Sequence, residues 1–461
     1  MTPRDGVHEA SFRDPCGFVY RRGGVLYRQV NAAGLADYEA LMSSGLYEEL
    51  TAAGVLIPHE EVGKELAQND LAARVLRPEL VPFVSHPYEW CCGALRDAAL
   101  LTLAAERAAL RRGLTLKDAS AYNVQFRHGR PVLIDTLSFA RLREGEPWLA
   151  YRQFCQHFLA PLALMALRDV RLGSLLRVHL DGVPLDLAGR LLPWRSRLRP
   201  GLLMHLHLHA RSQARWADKP GKARDVSRKG MSPRAREGLV DSLEGAVRGL
   251  KSKPVRSAWR DYYDESSYSE EAMRHKEDLV GAYLANCTPG MVWDLGANTG
   301  RFARLAAAAG RPTVAWDLDP HAVEAAYATA PADGVLPLVL DLSNPSPSLG
   351  WAHRERASLA ARGPAQTTLA LALLHHLAVA GNVPLPRIAD FLAEITRELI
   401  VEFVPKSDPQ VRRLLASRED VFPDYHREGF EAAFAARFET ARSDVVRGTD
   451  RTLYLMRRRE G

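Results

Sequence analysis

Residues 292–303 read Val-Trp-Asp-Leu-Gly-Ala-Asn-Thr-Gly-Arg-Phe-Ala. An apolar strand ends in an acid, Asp294, a turn carrying Gly296 and Gly300 follows, and a helix-forming run begins at Arg301. Glycines at such a strand-to-helix turn let backbone amides approach a ligand without side chains in the way. A dinucleotide fingerprint needs glycine at three places, and Asn298 and Arg301 occupy the second and third. The acids recur. Thr313-Val-Ala-Trp runs into Asp317, and Val335-Leu-Pro-Leu-Val-Leu runs into Asp341. An acid at the tip of the second parallel strand can accept hydrogen bonds from both hydroxyls of a ribose. Three carboxylates at successive strand ends suit a positively charged adenosine ligand and repel a phosphate; S-adenosylmethionine is such a ligand.

The ordered series Asp294-Leu-Gly-Ala-Asn-Thr-Gly300, Asp317, Asp341 and Leu373-Leu-His-His-Leu377 resembles the class I S-adenosylmethionine-dependent methyltransferases. The resemblance covers roughly the last 200 residues, the size of one domain. It implies a Rossmann-like seven-stranded α/β sheet. It also implies that Asp294, Gly296, Asn298 and Gly300 surround the methionine moiety of the cofactor, Asp317 holds the ribose, and Asp341 sits near the adenine amino group.

The elements that must position these residues are legible downstream. Residues 369–374 form a continuous apolar run, the pattern of a strand buried on both faces. Residues 388–397 have helical spacing, and Leu399-Ile-Val-Glu-Phe-Val404 reads as a fifth strand. Residues 438–446 and 453–456 flank a turn at Gly448-Thr-Asp450 and predict a terminal antiparallel hairpin. That ending is typical of methyltransferases and atypical of dehydrogenases. His375 and His376, past the fourth strand, and Glu402, in the fifth, are the catalytic candidates by fold logic. Methyl transfer from a sulfonium needs a base only when the acceptor is protonated. His376 could take that proton, packing is the alternative for either histidine, and Glu402 could orient the substrate. Upstream, Tyr262, Tyr263 and Tyr268 precede a helical stretch over 270–284 and suggest a lid over the cofactor, with packing of that helix as the alternative.

The chain has 461 residues, enough for two domains. No apolar stretch approaches the roughly 20 residues needed to span a bilayer. The polar start resembles no secretory signal. Five cysteines (Cys16, Cys91, Cys92, Cys155, Cys287) form no Cys-x-x-Cys pair and no disulfide pattern. A cytoplasmic setting is expected. The net charge of +6 is uneven: residues 211–260 hold 14 Lys or Arg against 5 Asp or Glu, with Pro220, Gly221, Gly230 and Pro233. A basic linker over 211–258 is expected between a first domain (1–210) and the methyltransferase-like domain (259–461). The aromatic interleaving of a single-strand groove is missing from it, so no nucleic-acid partner is expected.

In the first half, residues 17–21 and 25–30 flank Gly23-Gly24 and predict a hairpin; helices are expected over 36–53 and 93–112. Asp118, then Asn123, a short hairpin around Gly129, and Asp135 follow in order. This order resembles the catalytic loop and metal-binding aspartate of protein kinase-like and aminoglycoside phosphotransferase-like folds. In that family the first Asp orients the acceptor hydroxyl, while the Asn and second Asp hold magnesium. Here the early hairpin carries no phosphate-binding lysine, the first hundred residues hold no Gly-x-Gly-x-x-Gly loop, and Leu116 stands where histidine is usual. Arg28 could replace the missing cation, although nothing in the sequence requires it. A degenerate kinase-like α+β domain that binds substrate or partner is therefore expected, with ATP- and magnesium-dependent phosphotransfer as the alternative. His205, His207 and His209 alternate and would share a face on a strand, but with no further ligand in sight no metal site is expected. The resulting expectation is a methyltransferase acting on a small-molecule or glycan-type acceptor. The alternatives are a bifunctional phosphotransferase–methyltransferase and a non-catalytic scaffold of two degenerate folds.

Overall fold

A computed structural model of the chain describes residues 5–143, 145–209, 231–252, 268–416 and 419–460. The chain divides into two compact units, Met1–Lys253 with Gly350–Arg356, and Pro254–Leu349 with Ala357–Gly461.

The first unit opens with five antiparallel strands: β1 (Gly6–Val7), β2 (Gly17–Arg22), β3 (Val25–Asn31), β4 (His59–Val62) and β5 (Ala72–Pro78), in the order β1-β2-β3-β5-β4. Gly23 and Gly24, both at positive φ, make the two-residue turn between β2 and β3. The helix expected over 36–53 is two helices, Ala32–Ser43 and Leu46–Ala52, because Gly45 between them sits in the left-handed region at φ +73°. The Cys92–Arg111 helix buries Leu95, Ala98, Ala99 and Leu103, one face of a 3.6-residue period. Two small ladders follow it: β6 (Leu114–Leu116) with β9 (Phe139–Arg141), and β7 (Val124–Arg127) with β8 (Arg130–Leu133).

Two expectations fail in this unit. The basic linker over 211–258 contains a helix, Pro233–Arg248, which packs on the Cys92–Arg111 helix and belongs to the first unit. Val240, Leu243 and Val247 are fully buried at helical spacing, and Arg107 bonds both Asp241 and Glu244. The charged positions between those three apolar residues dominated the composition and hid the amphipathic face. The stretches 211–230 and 253–258 of that linker lie outside the described residues. Nor do His205, His207 and His209 sit on a strand. They lie on one helical stretch, where His205 bonds the Tyr151 and Ser242 hydroxyls (2.8 and 2.9 Å) and His207 bonds Ser196 (2.8 Å).

Among the described residues, the second unit is built on a seven-stranded sheet: β10 (Val292–Leu295), β11 (Thr313–Asp317), β12 (Val335–Val339), β13 (Ala365–Ala370), β14 (Thr396–Phe403), β15 (Phe438–Val445) and β16 (Thr452–Arg458). The order is β12-β11-β10-β13-β14-β16-β15, with the first five parallel and β16 antiparallel to both β14 and β15. From β10 the chain winds outward through β11 to β12, then returns to β13 on the other side of β10. That reversal is a topological switch point, where open α/β sheets leave a crevice beyond the strand carboxyl ends. Its walls are firm, since all four β10 residues are buried and Trp293 meets Trp316 edge-on at 6.0 Å. The fourth strand begins earlier than its apolar run implies, at Ala365, and ends at Ala370. Thr367 and Thr368 are fully buried in it, so β-branching and not hydrophobicity marks the strand.

If the Pro233–Arg248 helix is part of the first unit's core, Leu243→Ala should destabilise that unit by about 2–5 kcal/mol in chemical denaturation. A change within about 0.5 kcal/mol, the size of a surface substitution, would contradict the packing.

Candidate functional site

The turn after β10 is held by its neighbour strand. The Gly296 and Ala297 amides both donate to the Trp316 carbonyl (2.9 Å each), and the Asn298 amide donates to the Asp317 carboxylate at 2.7 Å. Gly296, Asn298 and Gly300 all have positive φ, at +74°, +52° and +83°. A Cβ on Gly296 would also lie 3.3 Å from the Leu373 side chain, so both the turn and its closeness to that leucine require glycine. Gly300, in the left-handed region, is the N-cap of the Arg301–Ala308 helix.

Two carboxylates at this turn are strained electrostatically. Asp294 is 2% exposed, and its Oδ2 has no hydrogen-bond partner among the described residues. Burial pushes its pKa up to about 7; the Ala303 amide and Lys276 pull it down less than burial and Asp317 push it up. Asp317 is raised to about 6, again by burial, although its oxygens accept the Asp319 amide (2.8 Å) and the Asn298 amide. A carboxylate has about four lone-pair sites, so Asp317 keeps acceptor capacity for further donors.

Glu402 has a different fate. It is fully buried in β14, and its carboxylate takes Lys276 Nζ at 2.7 Å and the Tyr268 hydroxyl, with Arg451 at 3.8 Å. Arg451 in turn pairs with Asp408 at 2.7 Å and stacks over the Tyr268 ring at 4.4 Å. Burial raises the Glu402 pKa, but Lys276 and Arg451 outweigh it and the net shift is downward. A carboxylate so engaged is the centre of an ion network. Tyr268 is likewise a donor within that network, and Tyr262 and Tyr263 of the expected lid lie outside the described residues. Lys276 and Arg451 went unnoticed in the sequence. The signal was there: Lys276 falls on the buried face of the Glu270–Asn286 helix, in register with Met273, Val280, Tyr283 and Leu284.

His375 is fully enclosed, and neither ring nitrogen has a hydrogen-bond partner among the described residues. Burial holds it neutral, well below the usual histidine range. His376, half-buried with its ring 4.1 Å from that of His375, is lowered to about 4, chiefly by burial. Asp341 lies just past β12 and accepts the amide and hydroxyl of Ser343 (2.8 and 2.6 Å). In the first unit Asp118, Asn123 and Asp135 do gather. Asn123 donates to Ser138 Oγ (3.1 Å), Ser138 Oγ donates to Asp135 (2.8 Å), and Asp118 feels both Asn123 and Asp135. Arg28 of β3 pairs with Asp135 at 2.5 Å.

Nodulation protein NoeA of Rhizobium meliloti (strain 1021) is 36% identical to this chain over 465 residues, 99% of this chain and 97% of that protein. The chain belongs to the NoeA family. No protein-family model matches it. Solved structures similar to part of this NoeA-family chain include methyltransferases. Magnesium protoporphyrin IX methyltransferase from Synechocystis PCC 6803, with bound SAH, is 19% identical and covers 44% of this chain and 93% of that one, with a TM-score of 0.31. N-methyltransferase NodS from Bradyrhizobium japonicum WM9 is 12% identical over 42% of this chain and 99% of its own, also at 0.31. The bifunctional kinase-methyltransferase WbdD is 17% identical over 43% of this chain and 42% of its own, at 0.29.

Asp294 has a sign-specific consequence. Its folded pKa of about 7 lies above the ordinary 3.8, so its contribution to stability is present at acid pH and lost as pH rises through about 7. Asp294→Asn should therefore change the melting temperature little at about pH 4 and raise it toward about pH 8 in ligand-free protein. A gain that is equal at both pH values would show that Asp294 is not the group responsible.

Proposed function

We propose that the second unit binds S-adenosylmethionine and transfers its methyl group to a small-molecule or glycan-type acceptor, in the nodulation setting of the NoeA relative. One observation carries this reading: the glycine turn at the switch point is clamped to Asp317, while Asp294 beneath it keeps an unsatisfied acceptor oxygen. Asp294 with Gly296, Asn298 and Gly300 would hold the amino-acid end, Asp317 the ribose hydroxyls, and Asp341 the adenine side. A cation near Asp294 would offset the burial that raises its pKa, so the residues fit this ligand and disfavour a phosphate. When bound, the sulfonium supplies an already activated methyl group.

The chain's own task is then alignment and exclusion of water, which is worth roughly 7–11 kcal/mol in well-oriented systems. Lys276, Tyr268 and Arg451 hold Glu402 rigid within β14, beside the strand that leads to the histidines. His376, neutral at physiological pH, is the group that would take a proton from a protonated acceptor, and enclosed His375 would pack behind it.

For the first unit the proposal is a degenerate kinase-like fold that presents acceptor or partner. Both Asp135 oxygens are engaged, by Arg28 and the Leu137 amide on one side and Ser138 on the other, which competes with magnesium for that carboxylate.

Titration calorimetry should show S-adenosylmethionine binding that strengthens as pH rises through about 7 and weakens about ten- to hundredfold in Asp317→Ala, the loss of a charge-assisted contact. Binding unchanged in both Asp317→Ala and Asp294→Asn would defeat the proposal. In the same instrument, ATP with magnesium should give no heat. Magnesium-dependent ATP binding abolished by Asp135→Ala would restore the bifunctional alternative.

A further inference from the structure

The first unit exposes an apolar surface that the proposed reaction does not use. Leu191, Trp194, Leu198, Met204 and Leu208 are all exposed, Trp194 by 66% and Leu198 by 70%. Leu191 ends the Leu185–Leu191 helix, Trp194 and Leu198 bound the helical turn after it, and Met204 and Leu208, four residues apart, lie on the helical stretch that follows. The turn is pinned from beneath. Ser196 is 1% exposed and bonds the buried His207 at 2.8 Å; with three residues per turn it takes the inward row, leaving Trp194 with Arg197 and Arg195 with Leu198 on the two outward rows. Exposed arginines alternate with the apolar residues: Arg195, Arg197 and Arg199, none of which pairs with a described acidic side chain. Arg195 lies over the Trp194 ring at 5.9 Å. Between residues 185 and 209 the single acid, Asp186, is already taken by Arg190 at 3.3 Å.

We propose that this face is a peripheral docking site for an anionic lipid surface. A tryptophan and leucines set among arginines combine apolar insertion with attraction to acidic headgroups. No helix among the described residues is long and apolar enough to cross a membrane, so the contact is one of lying on the bilayer. A second copy of the chain fits poorly as the occupant, because a two-fold contact would set the same arginines against each other. The inference is independent of the methyl-transfer reading.

The test is vesicle flotation of the full-length protein with neutral phosphatidylcholine vesicles and with vesicles carrying about 30 mol% phosphatidylglycerol. The protein should float with the anionic vesicles alone. Two double variants, Trp194→Ala with Leu198→Ala and Arg195→Glu with Arg197→Glu, should each lower the bound fraction about tenfold. Their melting temperatures and their S-adenosylmethionine binding should match the wild type. No flotation, or flotation that survives either double variant, would overturn the proposal. So would a lipid-free dimer, seen by light scattering, that the Trp194→Ala with Leu198→Ala variant dissociates, because the face would then be covered by a second copy.

Discussion

A carboxylate shut away from water at the tip of β10 sets the terms for the second unit. Asp294 must either hold a proton near neutrality or find a cation, because burial in a low-dielectric site disfavours its charge and no donor among the described residues satisfies its second oxygen. Such a group is a cost to the unliganded fold, and folds keep such costs where a ligand relieves them. Around it the turn is held by amide bonds to Trp316 and Asp317, so its geometry is set by the chain itself. A prepared site loses less freedom on binding than one that must be ordered first.

Glu402 shows what the same unit does with a buried carboxylate that is meant to stay charged. Lys276, Tyr268 and Arg451 surround it, and Arg451 is anchored in turn by Asp408. Its pKa moves down while that of Asp294 moves up, so the two environments assign the two acids different work. Removing one member of such a network leaves an uncompensated buried charge, the strongly destabilising event for ion pairs of this kind. Glu402 thus joins β14 to Lys276 of the Glu270–Asn286 helix and to Arg451 just before β16.

Most of the sheet was legible because its strands are short apolar runs ended by acids or glycines. Residues 292–303 revealed β10, its turn and the helix after it, and 438–456 revealed the terminal hairpin. What escaped had a physical reason in each case. The early part of β13 is threonine-rich, so an apolar criterion displaced it toward residue 374. The Pro233–Arg248 helix carries its three buried residues among many charges, and counting charge concealed its spacing. Gly45 split a helix whose two halves read as one. That Asp294, Asn298 and Asp317 meet at one turn was legible, because the ends of neighbouring parallel strands lie side by side. The Glu402 network was not, since its partners come from residues 268, 276 and 451, joined only by the folded sheet.

The clamped turn and its two strained acids are proposed as the seat of a sulfonium nucleoside. The most direct measurement is a crystal structure of the protein with S-adenosylhomocysteine, the product left after methyl transfer. It should show the ribose hydroxyls on the Asp317 carboxylate and the amino end against Asp294 and the Gly296–Gly300 turn. A ligand seated elsewhere, or crystals grown at saturating ligand with that turn bare, would contradict the account.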